Sequence, residues 1–223
     1  MGVALTGDRA ARVTVGLGSG AHVLAVAEGF GRIDGVPVAN AALQRLRIAF
    51  ERLRRSHRTA RALERPETAA ALLSGAIARL NDEIFARGAS HADYVSAGCS
   101  ITAVLVIPGY AIAGHLGATA AYFTREGRSR ALTAQHVIAD LPVRMLTRAL
   151  GVQPRCDASM ATFAIEDGDT LVLTDSGNRR LLVRQFGRGD VESFAWRGAA
   201  RGSTALARAG AAVFFALAVL WVR

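Results

Sequence analysis

Among the side chains that could do chemistry in this sequence, two carboxylates and two histidines stand in or at the ends of apolar runs. Glu28 closes the run 22–27 (HVLAVA) and opens a glycine turn, Glu28-Gly29-Phe30-Gly31. Asp175 follows a second run, 170–174 (TLVLT), and precedes Ser176-Gly177. From spacing alone, both are ordinary polar residues at strand ends. His115 lies inside an apolar run, which points to a core histidine with its polar atoms satisfied rather than to a ligand. Neither His115 nor His136 has a neighbour suggesting a Ser-His-Asp site. Cys99 and Cys156 are the only cysteines. They lack metal-ligand spacing and give no disulfide framework, so a reducing compartment is expected.

The elements that position these residues follow from hydrophobic periodicity. The run 22–27 reads as a buried strand entering a glycine turn. A helix is expected over 36–55, with Leu43, Leu46, Phe50 and Leu53 on one face. A second is expected over 67–86, with Leu73, Ile77, Leu80 and Ile84 as its stripe and Pro66 just ahead of it. Strands are expected over 100–107, 110–114, 119–124 and 129–133, with Pro108-Gly109 as a hairpin signal. A short helix over 140–150, stopped by Gly151, precedes strands 161–166 and 170–174 around Asp167-Gly168. This order implies an α+β fold, an antiparallel β-sandwich flanked by helix pairs.

The 223 residues carry 27 Lys+Arg against 18 Asp+Glu, a net charge of +9. A basic chain can serve nucleic acid, anionic membranes or acidic partners. No zinc-finger spacing and no RNP-type aromatic motif occurs, so nucleic acid is not an expected partner. The N-terminus lacks the apolar core of a secretory signal, which places the bulk of the protein in the cytoplasm. The far end differs. Residues 209–222 (AGAAVFFALAVLWV) are unbroken apolar sequence. As a helix that run spans roughly 21 Å against a hydrocarbon core of about 30 Å. Starting at 204 brings it to length, with Arg208 snorkelling and Trp221 and Arg223 at the far interface. The expected organisation is a domain over 1–197, a linker over 198–203 and a transmembrane tail over 204–223. Such a tail makes the chain a single-pass membrane protein with its N-terminal domain cytoplasmic.

Five stretches, in order, resemble the metal-dependent PPM-type (protein phosphatase 2C-like) Ser/Thr protein phosphatases. Residues 23–32 (VLAVAEGFGR) resemble that family's F-V-A-D-G-M-G-G strand and turn. Residues 98–105 (GCSITAVL) resemble G-T-T-L-V-A-A-L. Residues 113–136 (AGHLGATAAYFTREGRSRALTAQH) resemble A-N-V-G-D-S-R-A-Y followed by L-T-x-D-H. Residues 146–151 (LTRALG) with 167–177 (DGDTLVLTDSG) resemble L-T-R-A-L-G and G-D-x-L-L-L-C-S-D-G. The resemblance spans about 20–180 and implies the family's β-sandwich with flanking helix pairs.

It also implies a chemistry, two Mn²⁺ or Mg²⁺ ions activating a bridging water against a phosphoserine or phosphothreonine. Hard cations need carboxylates at fixed places. The resemblance puts one at Glu28, with the Gly29 carbonyl beside it. The S-D-G aspartate falls on Ser176, a neutral hydroxyl. Asp175 can replace it only if the turn slips by one residue, since adjacent strand residues face opposite ways. The charged pair of G-D-S-R falls on Ala118 and Ala120. The R-x-x-N-E-D segment and the terminal D-N-[IV]-T strand have no counterpart. The family metal set is therefore reduced to Glu28, Gly29 and Asp175, and no cofactor is expected unless the two-ion site is retained. The leading expectation is a membrane-tethered pseudophosphatase that binds or regulates a phosphoprotein or a protein kinase. The alternatives are a weak metal-dependent phosphatase and an Arg-rich membrane-surface protein.

Overall fold

The computed structural model describes residues 4–6, 10–18, 20–55, 63–89, 97–126, 128–138, 145–176 and 217–221. Strand β3 (Ala21–Ile33) builds two cores at once. Its Val23, Ala25 and Ala27 join a cluster with the helix residues Leu43, Leu46, Phe50, Leu73, Ile77 and Ile84. Its Leu24 and Val26, on the opposite face, join Ala121, Phe123, Leu171 and Leu173 of a second sheet. A strand buried on both faces has no polar alternation, which is why 22–27 is a continuous apolar run.

Around β3 lies a seven-stranded antiparallel sheet. Its order is β1 (Ala4–Thr6), β2 (Ala10–Gly18), β3, β5 (Ala97–Ile107), β6 (Tyr110–Leu116) and β11 (Ser159–Ala164), with β4 (Val36–Pro37) paired to the end of β3. A four-stranded sheet of β13 (Leu217–Trp221), β12 (Thr170–Thr174), β7 (Ala120–Arg125) and β8 (Arg128–Ala131) packs on its inner face. A two-stranded ribbon joins β9 (Val137–Ile138) to β10 (Met145–Leu146). Helices α1 (Val38–Arg54) and α2 (Pro66–Ala89) cover the outer face, α1 against β2 and β3, α2 against β5 and β6. An Arg45–Glu83 ion pair at 3.0 Å joins the helices, and an Arg87–Asp34 pair ties α2 to the turn after β3. The expected antiparallel α+β sandwich is the fold adopted.

One expectation needs correction. Residues 145–150 are not helical: Met145 and Leu146 are in β10, and Leu150 exchanges two backbone hydrogen bonds with Cys99 of β5 (3.1 and 2.8 Å). Pairing with β5 satisfies backbone groups that a short isolated helix would leave to its ends. Residues 139–144 lie outside the described residues. The expected transmembrane tail is described only in part. Leu217–Trp221 is a strand, paired antiparallel to β12 from Thr170↔Trp221 to Thr174↔Leu217. Strand β12 has an edge to fill, and an apolar segment containing Val219 and Trp221 suits a pleated surface as well as a helix. No described helix is long and apolar enough to cross a membrane. The rest of the expected tail and the linker 198–203 lie outside the described residues.

Candidate functional site

The inner face of the large sheet changes character along its strands. At one end it presents Leu24, Val26, Val104, Val106, Ala111 and Ala113 to the second sheet. Continuing by twos along the same strands gives Glu28 on β3, Thr102 and Ser100 on β5, and His115 on β6. Register makes these neighbours: Glu28 is opposite Ser100, Thr102 opposite His115, and Ser159 of β11 opposite His115. Strand alternation thus gathers the polar residues of four apolar-looking strands at one end of the sandwich.

Glu28 meets the end of β12 there. Its Oε2 accepts the backbone N–H of Ser176 at 2.8 Å and its Oε1 accepts the Ser176 hydroxyl at 2.7 Å. The structure therefore brings together Glu28 and Ser176, residues 148 apart in sequence. Asp175 is buried beside them, its backbone carbonyl accepting the Thr174 hydroxyl at 3.2 Å. Gly29 is fixed by packing. A Cβ there would fall 2.5 Å from the Cys99 Cβ and 2.6 Å from the Gly98 carbonyl oxygen. Ala118 stands on the link from β6 to β7, and Ala120 is the first residue of β7. The Ala118 N–H donates to Ser100 Oγ at 2.9 Å, its carbonyl accepts from Gln135 at 2.7 Å, and Ala120 is buried.

A two-ion centre needs several converging oxygen ligands. At this point both Glu28 oxygens receive hydrogen bonds from a neutral residue, and donors aimed at a carboxylate repel a cation. Among the described residues no three His, Cys, Asp or Glu side chains cluster closely enough to share an ion. The described donor set does not fit a two-ion site.

The histidines form a second polar group. His115 is 1% exposed. Its Nδ1 is 2.9 Å from Thr102 Oγ1, which also contacts Thr119 Oγ1 at 2.7 Å. The expectation of a satisfied core histidine holds for one nitrogen only, because the buried Nε2 has no hydrogen-bond partner. Burial, then the nearby His136, pull its pKa from 6.5 to about 4. The two rings lie 4.9 Å apart. His136 itself is set by the β6–β7 link. Its Nδ1 accepts the Gly117 N–H at 3.1 Å, so in the neutral ring the proton sits on Nε2, which faces Ser159 Oγ at 3.0 Å. Burial, with Arg148 second, also lowers the His136 pKa. A ring whose Nε2 is already protonated cannot take the proton of Ser159, so this pair is no nucleophile and base. Sequence reasoning missed Thr102, Thr119, Arg148 and Ser159. The signal available was the register of β5, β6 and β11, which local periodicity does not contain.

A pH dependence follows from His115. Its folded pKa lies below its unfolded value, so the unfolded chain binds the extra proton first. Stability should be complete above about pH 6.5 and fall as pH drops towards 4. His136 acts in the same direction. Denaturant melts at pH 7 and pH 4 should show this loss, on the order of 3 kcal/mol from His115, and His115→Asn should remove most of it.

The chain has the fold of PPM-type serine/threonine phosphatases. Solved structures carry that statement. The S. agalactiae serine/threonine phosphatase superposes with a TM-score of 0.69 at 18% identity, over 85% of this chain and 80% of that one. The serine/threonine phosphatase Stp1 from Staphylococcus aureus gives 0.63 at 16% identity, over 75% and 70% of the two chains. The catalytic domain of the serine/threonine protein phosphatase PstP, in complex with 2 manganese ions, gives 0.62 at 19%, over 95% and 96%. No family model matches the sequence, and no curated protein matches it.

Proposed function

We propose that this domain is a pseudophosphatase, which binds or regulates a phosphoprotein or a protein kinase through a phosphatase-like surface without hydrolysing phosphate. The observation that supports it is the Glu28–Ser176 contact. In the resemblance drawn from sequence, both positions belong to metal-binding carboxylates. Here one carboxylate receives two hydrogen bonds from a residue that replaced the other. A direct clasp between the two sheets then does the joining that a metal and its ligands would do. The alternative, a weak Mn²⁺-dependent phosphatase using Glu28 and Asp175, draws support from the manganese in the PstP complex.

Calorimetry with Mn²⁺ and hydrolysis of a phosphoserine peptide separate the two readings. The pseudophosphatase should show no tight Mn²⁺ site and only background turnover. Glu28→Ala should lower stability by about 1.5–3 kcal/mol, the usual worth of hydrogen bonds to a charged group, and leave turnover at background. Two tight Mn²⁺ sites, or turnover that vanishes in Glu28→Ala, would establish the enzyme instead.

A further inference from the structure

The chain has a second place suited to an anion, separate from Glu28. Arg148 Nη1 lies 3.2 Å from Ser159 Oγ and 3.4 Å from His136 Nε2, and those two atoms are 3.0 Å apart. The three polar atoms form a near-equilateral triangle at the edge where β11 meets the loop before β9. Ser159 is exposed, and Arg148 and His136 are half-buried, so the triangle opens to solvent.

Two corners can donate outward, Arg148 and Ser159, and the third holds Ser159 in place. The Gly117 N–H occupies His136 Nδ1, which leaves the ring proton on Nε2. The Ser159 oxygen accepts from its two neighbours and keeps its own proton free to point outward. The guanidinium is a fixed charge with further N–H groups to spare. No carboxylate among the described residues forms an ion pair with Arg148, whereas Arg125 is held by both Asp169 and Glu166. A half-buried cation beside a free hydroxyl donor, with no carboxylate among the described residues opposite, is an arrangement completed by an external oxyanion.

We propose that Arg148, His136 and Ser159 form a binding site for a phosphoryl oxyanion, as inorganic phosphate or as a phosphomonoester. Arg148 and the Ser159 hydroxyl donate to oxygens of one tetrahedral group while His136 Nε2–H holds the Ser159 oxygen, and the site needs no metal. It rests on the phosphoprotein reading only for what carries the phosphate; the free anion tests the site by itself.

The test is calorimetric titration of the full chain with inorganic phosphate at constant ionic strength, repeated with a phosphoserine peptide. Saturable phosphate binding is expected, weakened about tenfold or more in Arg148→Gln, since a charged hydrogen bond is worth about one to two decades of affinity. Ser159→Ala should weaken it a few-fold, and Arg148→Lys should fall in between, since it keeps the charge but not the planar donor set. Arg79→Gln on the exposed face of α2 controls for net charge. The proposal is overturned if phosphate does not saturate, or if Arg148→Gln loses no more affinity than Arg79→Gln. Phosphate binding without peptide binding keeps the site and removes the phosphoprotein reading. Peptide binding indifferent to Arg148→Gln keeps that reading and removes the site.

Discussion

Gly117→Ala should cost a large share of the stability of the fold. Gly117 has φ +95°, in the region that L side chains rarely adopt. A Cβ there would lie 2.1 Å from Ser100 Oγ, 2.5 Å from its Cβ and 2.8 Å from its Cα. A hydroxyl can rotate away, but the Cα of a central strand cannot. Nor can the glycine retreat, because its N–H donates to His136 Nδ1 at 3.1 Å and its carbonyl accepts the His136 N–H at 2.8 Å. The left-handed backbone adds about 1–2 kcal/mol and the overpacking about 1–3. A loss of roughly 2–5 kcal/mol is large against a usual total of about 5–15. Denaturant melts of Gly117→Ala, Ser100→Gly and the double variant form a cycle that measures the contact. Ser100→Gly should return part of the loss, since it removes the two nearest atoms and leaves the Cα and the φ. Wild-type stability in Gly117→Ala would mean that this link does not pass over Ser100.

Where one face or both faces of an element are buried, its pattern is readable locally, and the sequence reading came closest there. Strand β12 matches the expected 170–174 at both ends. Helices α1 and α2 differ from the expected bounds by up to three residues, because Leu43, Leu46, Phe50, Leu73, Ile77 and Ile84 form the stripes that pack on the sheet. Strand β2 was not expected, although Val13, Val15 and Leu17 alternate into the core. Its intervening Arg12, Thr14, Gly16 and Gly18 dilute the hydrophobic signal, and glycine is unfavourable in a strand.

The site was legible only in part. Glu28 and Ser176 were singled out by resemblance, but their contact depends on how the second sheet lies on the first. No local pattern holds that information. The triangle of Arg148, His136 and Ser159 was hidden for a related reason. Arg148 falls in a segment whose composition favours a helix, and bridging to Cys99 overrides that preference. The apolar tail shows the limit most plainly: a run without a polar face fits a membrane helix and a strand between two covered faces equally well, and only a partner strand decides.

Deleting residues 209–223 should therefore weaken the domain rather than release it intact. Five residue pairs join β13 to β12, and β13 also lies against β2 and β3 of the large sheet. Its neighbour β12 carries the fully buried Leu171 and Leu173. Without β13, one row of β12 backbone groups loses its partners and an apolar strand becomes a sheet edge. At about 0.5–1.5 kcal/mol net per hydrogen bond, and with apolar surface uncovered besides, the cost should reach at least about 3 kcal/mol. Val219→Pro within the full chain should act the same way, because proline fixes φ at about −65°, away from the extended values of a strand. A membrane helix over 204–223 gives the opposite pattern. Deletion would move an equally stable domain from the membrane pellet to the supernatant. A charge at its centre, Phe215→Arg, would cost about 2.5–3.5 kcal/mol of insertion. Fractionation without detergent, paired with denaturant melts of the deletion, distinguishes them. A full chain in the pellet whose truncated form melts like the rest of the domain would remove β13 from the fold and restore the tether.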